Sequence, residues 1–139
     1  MDKSEILEIK EEAKSYFLPF LLGSNAASHK LAKKIYRKHK ITCYILDSKR
    51  SAADILDFSS KFLKLTAPKN EELTAKELLY LSRQSQYTLS ILIPCSSYYE
   101  ELVNCKREML EASFVISNIK DALSASPLNV IPKFKKKGR

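Results

Sequence analysis

The chain has 139 residues, 45% hydrophobic and 29% charged, with a formal net charge of +8. That composition fits one soluble globular domain, and no apolar run nears the ~20 residues that span a bilayer. Three cysteines, Cys43, Cys95 and Cys105, form no Cys-x-x-Cys pair, and only Cys43 has a histidine, His39, within a few residues. They give no sign of a disulfide framework or a zinc site, so reduced thiols and a cytoplasmic location are expected. The charge alone suggests nucleic acid, but Lys133, Lys135, Lys136, Lys137 and Arg139 crowd five cations into the last seven residues. Such a tail is usually solvated and disordered. A second basic group, Lys30, Lys33, Lys34, Arg37, Lys38 and Lys40, reads as the outward face of an amphipathic helix. Without interleaved aromatic residues it makes no stacking platform for a single strand, and nucleic acid is not the expected partner.

In chain order, a Glu- and Lys-rich helical extension is expected within residues 1–15. The nearly continuous apolar run Leu18, Phe20, Leu21 and Leu22 then reads as a strand buried on both faces of a parallel sheet. Pro19 cannot donate to a ladder and belongs to the first residues of that strand. Gly23-Ser24-Asn25 closes it, Ser24 or Asn25 caps a helix, and Ala27, Leu31 and Ile35 recur on its apolar face to near Lys40. Residues 42–46 give a second parallel strand ending in Asp47, a position where many dinucleotide folds hold a ribose and where an aspartate also serves as a plain turn residue.

A short helix is expected within residues 51–60, and an edge strand over 61–65, where Lys61 and Lys64 suit exposure. Thr74-Ala75-Lys76-Glu77 has the form of a capping box, with Leu73 and Leu78 as its hydrophobic staple, before a helix over 75–84. A strand over 89–93 follows, then the small polar loop Cys95-Ser96-Ser97. A second capping box, from Ser97 to Glu100, opens another helix, and 114–116 is a fifth strand. The fold class is therefore α/β: a Rossmann-like, open, mostly parallel sheet of about five strands in the order 3-2-1-4-5, with helices on both faces. Residues 16–118 form the domain and 119–139 a basic tail.

The two strand-to-helix junctions are the candidate site. Gly23, Ser24 and Asn25 on one side, and Cys95, Ser96 and Ser97 on the other, should meet at the carboxyl edge beside the topological switch point, backbone N–H groups aimed into one crevice. Asp47 completes the set. With only Gly23 and Gly138 in the chain, no glycine-rich phosphate loop exists, and a bound dinucleotide is not expected. Cys95 stands just before a helix start, where a thiol can be a nucleophile, but small apolar filler is the commoner role, and no catalytic or metal-ligating residue is assigned. His29 and His39 read as exposed or capping residues, and Tyr98 and Tyr99 as core or pocket lining.

Phe20-Leu-Leu-Gly-Ser-Asn25, Tyr44-Ile-Leu-Asp-Ser48 and Leu92-Ile-Pro-Cys-Ser96, followed by Tyr99, Glu101 and Leu102, resemble the N-terminal, pre-ATP-grasp domain of ATP-grasp carboxylate-amine ligases. The likeness runs over residues 17–116 and is nearest to the group around the carbamoyl-phosphate synthase large subunit and D-aspartate ligase. The chain departs from the pattern at Ser97, where such sequences often carry an acid. The resemblance implies a domain bordering a pocket for a small carboxylate or amine, while later subdomains bind ATP and Mg²⁺ and form an acyl phosphate that the amine attacks. Nothing after residue 116 is long enough to supply them. A fragment or split subunit is expected, inactive alone, holding no cofactor itself and possibly partnered by a separate ATP-grasp chain. Two other readings stay open, a stand-alone small-anion binding module and a basic interaction protein.

Overall fold

The computed structural model describes residues 17–84 and 89–124. The extension expected within residues 1–15, and the basic tail beyond residue 124, lie outside the described residues. Five strands form one sheet: β1 (Phe17–Leu22), β2 (Cys43–Asp47), β3 (Ser60–Lys64), β4 (Leu89–Pro94) and β5 (Phe114–Ile116). Their order is β3-β2-β1-β4-β5 and every pairing is parallel. Between them run α1 (Ala26–His39), α2 (Ala52–Leu56), α3 (Glu71–Arg83), α4 (Ser97–Cys105) and α5 (Arg107–Leu110), with α6 (Ile119–Ser124) after β5.

Alternation along the strands divides the core in two. Leu21, Cys43, Ile45, Ile91, Ile93 and Cys95 face Leu31, Ala32 and Ile35 of α1 and Ala122 of α6. Phe20, Leu22, Leu46, Leu92 and Phe114 face α3, α4 and α5 through Leu78, Leu79, Tyr99, Leu102 and Leu110. Both faces of β1 and β4 are thus covered, which is why these strands read as apolar runs without alternation. Each fully buried Leu or Ile contributes about 1.5–3 kcal/mol of transfer free energy. Ala122 is fully buried, so the folded unit continues past residue 118 into α6.

Pro19 lies inside β1, opposite Ile91 of β4. The Leu22 carbonyl accepts from the Cys95 N–H just past the end of β4, whereas the Gly23 N–H points to Leu46 on β2. Odd-numbered residues of β1 therefore direct their backbone groups toward β2, where pairing starts only at Phe20↔Tyr44. The missing N–H of Pro19 falls below the start of that ladder and costs no hydrogen bond.

Two helix starts differ from expectation. Asn70, not Thr74, caps α3: its side chain accepts from the Leu73 N–H, and the helix begins one turn earlier. Thr74 is buried within the helix and donates to the Ala67 carbonyl, Leu73 is exposed, and Glu77 accepts from the Thr66 N–H and hydroxyl. Ser96, not Ser97, caps α4 by accepting from the Tyr99 N–H. α1 is capped by Asn25 and ends, as the pattern implies, with Lys40 in the left-handed region at φ 58°.

Candidate functional site

Because β1 and β4 are parallel neighbours, the loops that follow them emerge side by side at the carboxyl edge, and the crossovers diverge between them. Gly23 has φ +110°, and a Cβ placed on it would stand 3.4 Å from Tyr99 Cδ2 and 3.7 Å from Ser96 Oγ. Asn25 ties the loops together. Its Oδ1 accepts from the Ser28 N–H at 2.9 Å, while its Nδ2 donates to the Cys95 carbonyl at 2.8 Å. The expected juxtaposition of Gly23-Ser24-Asn25 with Cys95-Ser96-Ser97 is therefore present.

The backbone donors are disposed differently from expectation. The N–H of Gly23 goes to Leu46, that of Ser24 to Asp47 Oδ2 at 2.7 Å, that of Asn25 to Ser28 Oγ, and that of Cys95 to Leu22. These four build the loop itself instead of a cradle for an anion. The side chains at the surface of the two loops are exposed Asn25 and Ser97 and half-exposed Ser24 and Ser96.

Asp47 is more than a turn residue. Its Oδ1 accepts from the Ser48 N–H at 2.7 Å and the Tyr99 hydroxyl at 2.9 Å, while Oδ2 holds Ser24. One carboxylate thus joins the ends of β1 and β2 to α4. Burial, and then the hydrogen bond to Asp47, push the Tyr99 phenol above its ordinary range, so it remains a donor. Asp47→Ala should lower unfolding stability by about 1–3 kcal/mol, because a buried hydroxyl and two loop N–H groups lose their acceptor. Denaturant titration measures this, and an unchanged midpoint would return Asp47 to the role of a plain turn residue.

Cys95 is buried, its thiol donates to the Ile93 carbonyl, and burial, with Glu100 nearby, pushes its pKa to about 12. That is the reverse of an activated nucleophile. Tyr99 belongs to the core, whereas Tyr98 is exposed with its hydroxyl on the Pro68 carbonyl.

A polar cluster beneath the first loop joins residues far apart in the chain. His29 is buried, not exposed: Nε2 lies 2.9 Å from Asp54 Oδ1 and Nδ1 lies 2.5 Å from Asp57 Oδ2. Ser24 Oγ donates to Asp54 at 2.8 Å, and Ser51, which caps α2, also donates to Asp54. Burial alone would raise the Asp57 carboxyl, but hydrogen bonds from Ser59, His29 and Ser60 outweigh it and hold it at about 2. Asp54 is likewise held low, burial being overcome by Ser51, Ser24 and His29. Ser24 stands 3.5 Å from His29 Nε2, but its proton is directed to Asp54 at the shorter distance, so the group is a structural tie and not a nucleophile with its base. The Ser51-x-x-Asp54 spacing was the one local signal. The histidine lies 25 and 28 residues from its partners, beyond any local pattern. His39, in the last turn of α1, is half-buried, and burial followed by the Lys38 charge lowers its pKa.

Among the described residues no cluster of His, Cys, Asp or Glu is arranged to hold a metal ion, and no helix is long and apolar enough to cross a membrane. Comparison with protein-family models, curated proteins and solved structures finds no match.

Proposed function

We propose that this chain is a small-molecule-binding domain that borders the acceptor pocket of an ATP-grasp carboxylate-amine ligase and leaves phosphoryl transfer to other domains. One observation carries the reading. The two switch-point loops are fastened to each other through Asn25 and Cys95, and the exposed or half-exposed side chains beside that tie, Ser24, Asn25, Ser96 and Ser97, are hydroxyls and an amide. Such a surface orients a polar ligand by neutral hydrogen bonds, as an acceptor pocket requires, and lacks the stacked glycine N–H groups that grip a pyrophosphate. ATP and Mg²⁺ would be bound by a partner chain or further domains. The buried, hydrogen-bonded Cys95 supports a binding role over a catalytic one, and three free cysteines suit a cytoplasmic setting.

Calorimetry discriminates this from a nucleotide-binding domain. Mg-ATP should bind no more tightly than Mg-tripolyphosphate, since no adenosine site belongs to this chain. A tenfold preference for the nucleotide would overturn the reading. In parallel, a panel of amino acids and small carboxylates should move the amide resonances of Ser24, Asn25, Ser96 and Ser97. If those signals stay fixed across the panel, the crevice is not a substrate pocket.

A further inference from the structure

The carboxyl edge carries a second recess, one strand out from the switch point. It is an open pocket of about 500 Å³ lined by Ser48, Lys49, Arg50, Phe62 and Lys64. Its position follows from the register: Lys64 ends β3 directly opposite Asp47, and Ser48, Lys49 and Arg50 are the first residues after β2. Three cations thus gather at the ends of two adjacent strands. None of them makes an ion pair among the described residues.

The nearby acids are already engaged. Asp47 is turned to Ser24, Ser48 and Tyr99, and Asp54 and Asp57 are turned to His29 and the serines around it. The donors to Asp47 are neutral and leave its charge intact, so Asp47, opposite Lys64, offsets part of the field, and three cations beside one adjacent anion still leave the recess net positive. The Arg50 guanidinium lies over the Phe62 ring, 5.9 Å from its centroid. That contact holds a planar fork of N–H donors at the pocket wall, with less side-chain freedom to lose when a ligand arrives.

We infer that this recess binds the phosphate group of a small phosphorylated molecule. The choice of phosphate over a simple carboxylate rests on charge. Two cations from the loop after β2 and one from the end of β3 suit a group carrying up to two negative charges better than a singly charged carboxylate, and Ser48 adds a hydroxyl to the same lining. A polynucleotide is the less suitable occupant, because the recess is lined by a single aromatic ring, Phe62, and offers no series of aromatic faces on which successive bases could stack. The inference concerns a different set of residues from the crevice of Gly23 and Cys95 and stands or falls separately from the ligase reading.

The same chain provides an internal control. Lys30, Lys34, Arg37 and Lys38 line another shallow basic patch on α1, comparable in charge but carried by one helix face. Inorganic phosphate added at constant ionic strength should shift the amides of Ser48, Lys49, Arg50 and Lys64 saturably, with a millimolar dissociation constant. The exposed pair substitution Arg50→Ala/Lys64→Ala should weaken binding at least tenfold with an unchanged thermal midpoint, whereas Arg37→Ala/Lys38→Ala should leave it within twofold. A sugar monophosphate should bind at least as well as inorganic phosphate. Shifts abolished by matched sodium chloride, or equal on α1, would mean general charge screening and overturn the site. Tighter binding of an oligonucleotide, lost with the α1 pair, would overturn it in favour of nucleic acid.

Discussion

His29→Ala should lower the unfolding free energy by about 3–5 kcal/mol, the usual cost of leaving buried charge without its partner. Against a total of about 5–15 kcal/mol for a domain, that removes a large fraction of the stability. The reason is the arrangement of acids around the ring: two carboxylates with side chains only 1% and 3% exposed, each at one imidazole nitrogen. Removing the ring takes one hydrogen-bond partner from each buried carboxylate and creates a cavity between α1 and α2.

The pH dependence has a definite sign. Asp57 is held at about 2 in the folded protein, below its ordinary value of about 3.9. A depressed carboxylate contributes stability that is complete above the unfolded value and is lost as pH falls through the folded one. Wild-type stability should therefore decline from about pH 4 toward pH 2. The gap between wild type and His29→Ala should narrow as pH falls, beginning above about pH 4, because the stranded acids protonate more readily than their wild-type counterparts. Urea unfolding at several pH values measures both curves. A gap that is constant with pH would show that His29 stabilises by packing alone. Asp54→Asn and Asp57→Asn in the His29→Ala background should recover part of the loss, which packing would not produce.

Gly23→Ala should cost about 1–3 kcal/mol through backbone strain, since φ +110° lies where L residues rarely settle. The added methyl would meet Tyr99 at ordinary contact distance, so conformation and not overlap sets the cost. Gly23→Val should cost more, because a branched Cβ tolerates this region least. The strain is transmitted locally: Gly23 donates to Leu46, and Ser24 next to it donates to Asp47. Loss of stability should be accompanied by shifted Tyr99 and Ser96 resonances. An alanine variant as stable as wild type would mean that the loop adopts another conformation without penalty.

The sheet was legible because buried parallel strands leave a strong compositional trace. The runs containing Phe20, Ile45 and Ile91 are β-rich and bounded by small polar residues, and placing the longest apolar strands at the centre yields the observed order. Helix ends were less legible. Asn70 and Thr74 both fit a cap, as do Ser96 and Ser97, and the choice depends on what each side chain meets in space: Thr74 is drawn to the Ala67 carbonyl and Glu77 to Thr66. The two loops of the crevice were readable as positions, but not the direction of their N–H groups, since Asp47 and Leu46 compete for them from a different strand. Nothing in sequence places His29 between Asp54 and Asp57, because three elements converge there.

The double use of the Asn25 side chain has a kinetic meaning. One amide caps α1 and fastens the end of β4, so the start of the helix and the opposite wall of the crevice move together or not at all. The order that a mobile loop would acquire on meeting a ligand is here installed during folding. For the ligand proposed above, association should then show one kinetic phase linear in ligand concentration, with no plateau from a slow rearrangement, in stopped-flow measurements.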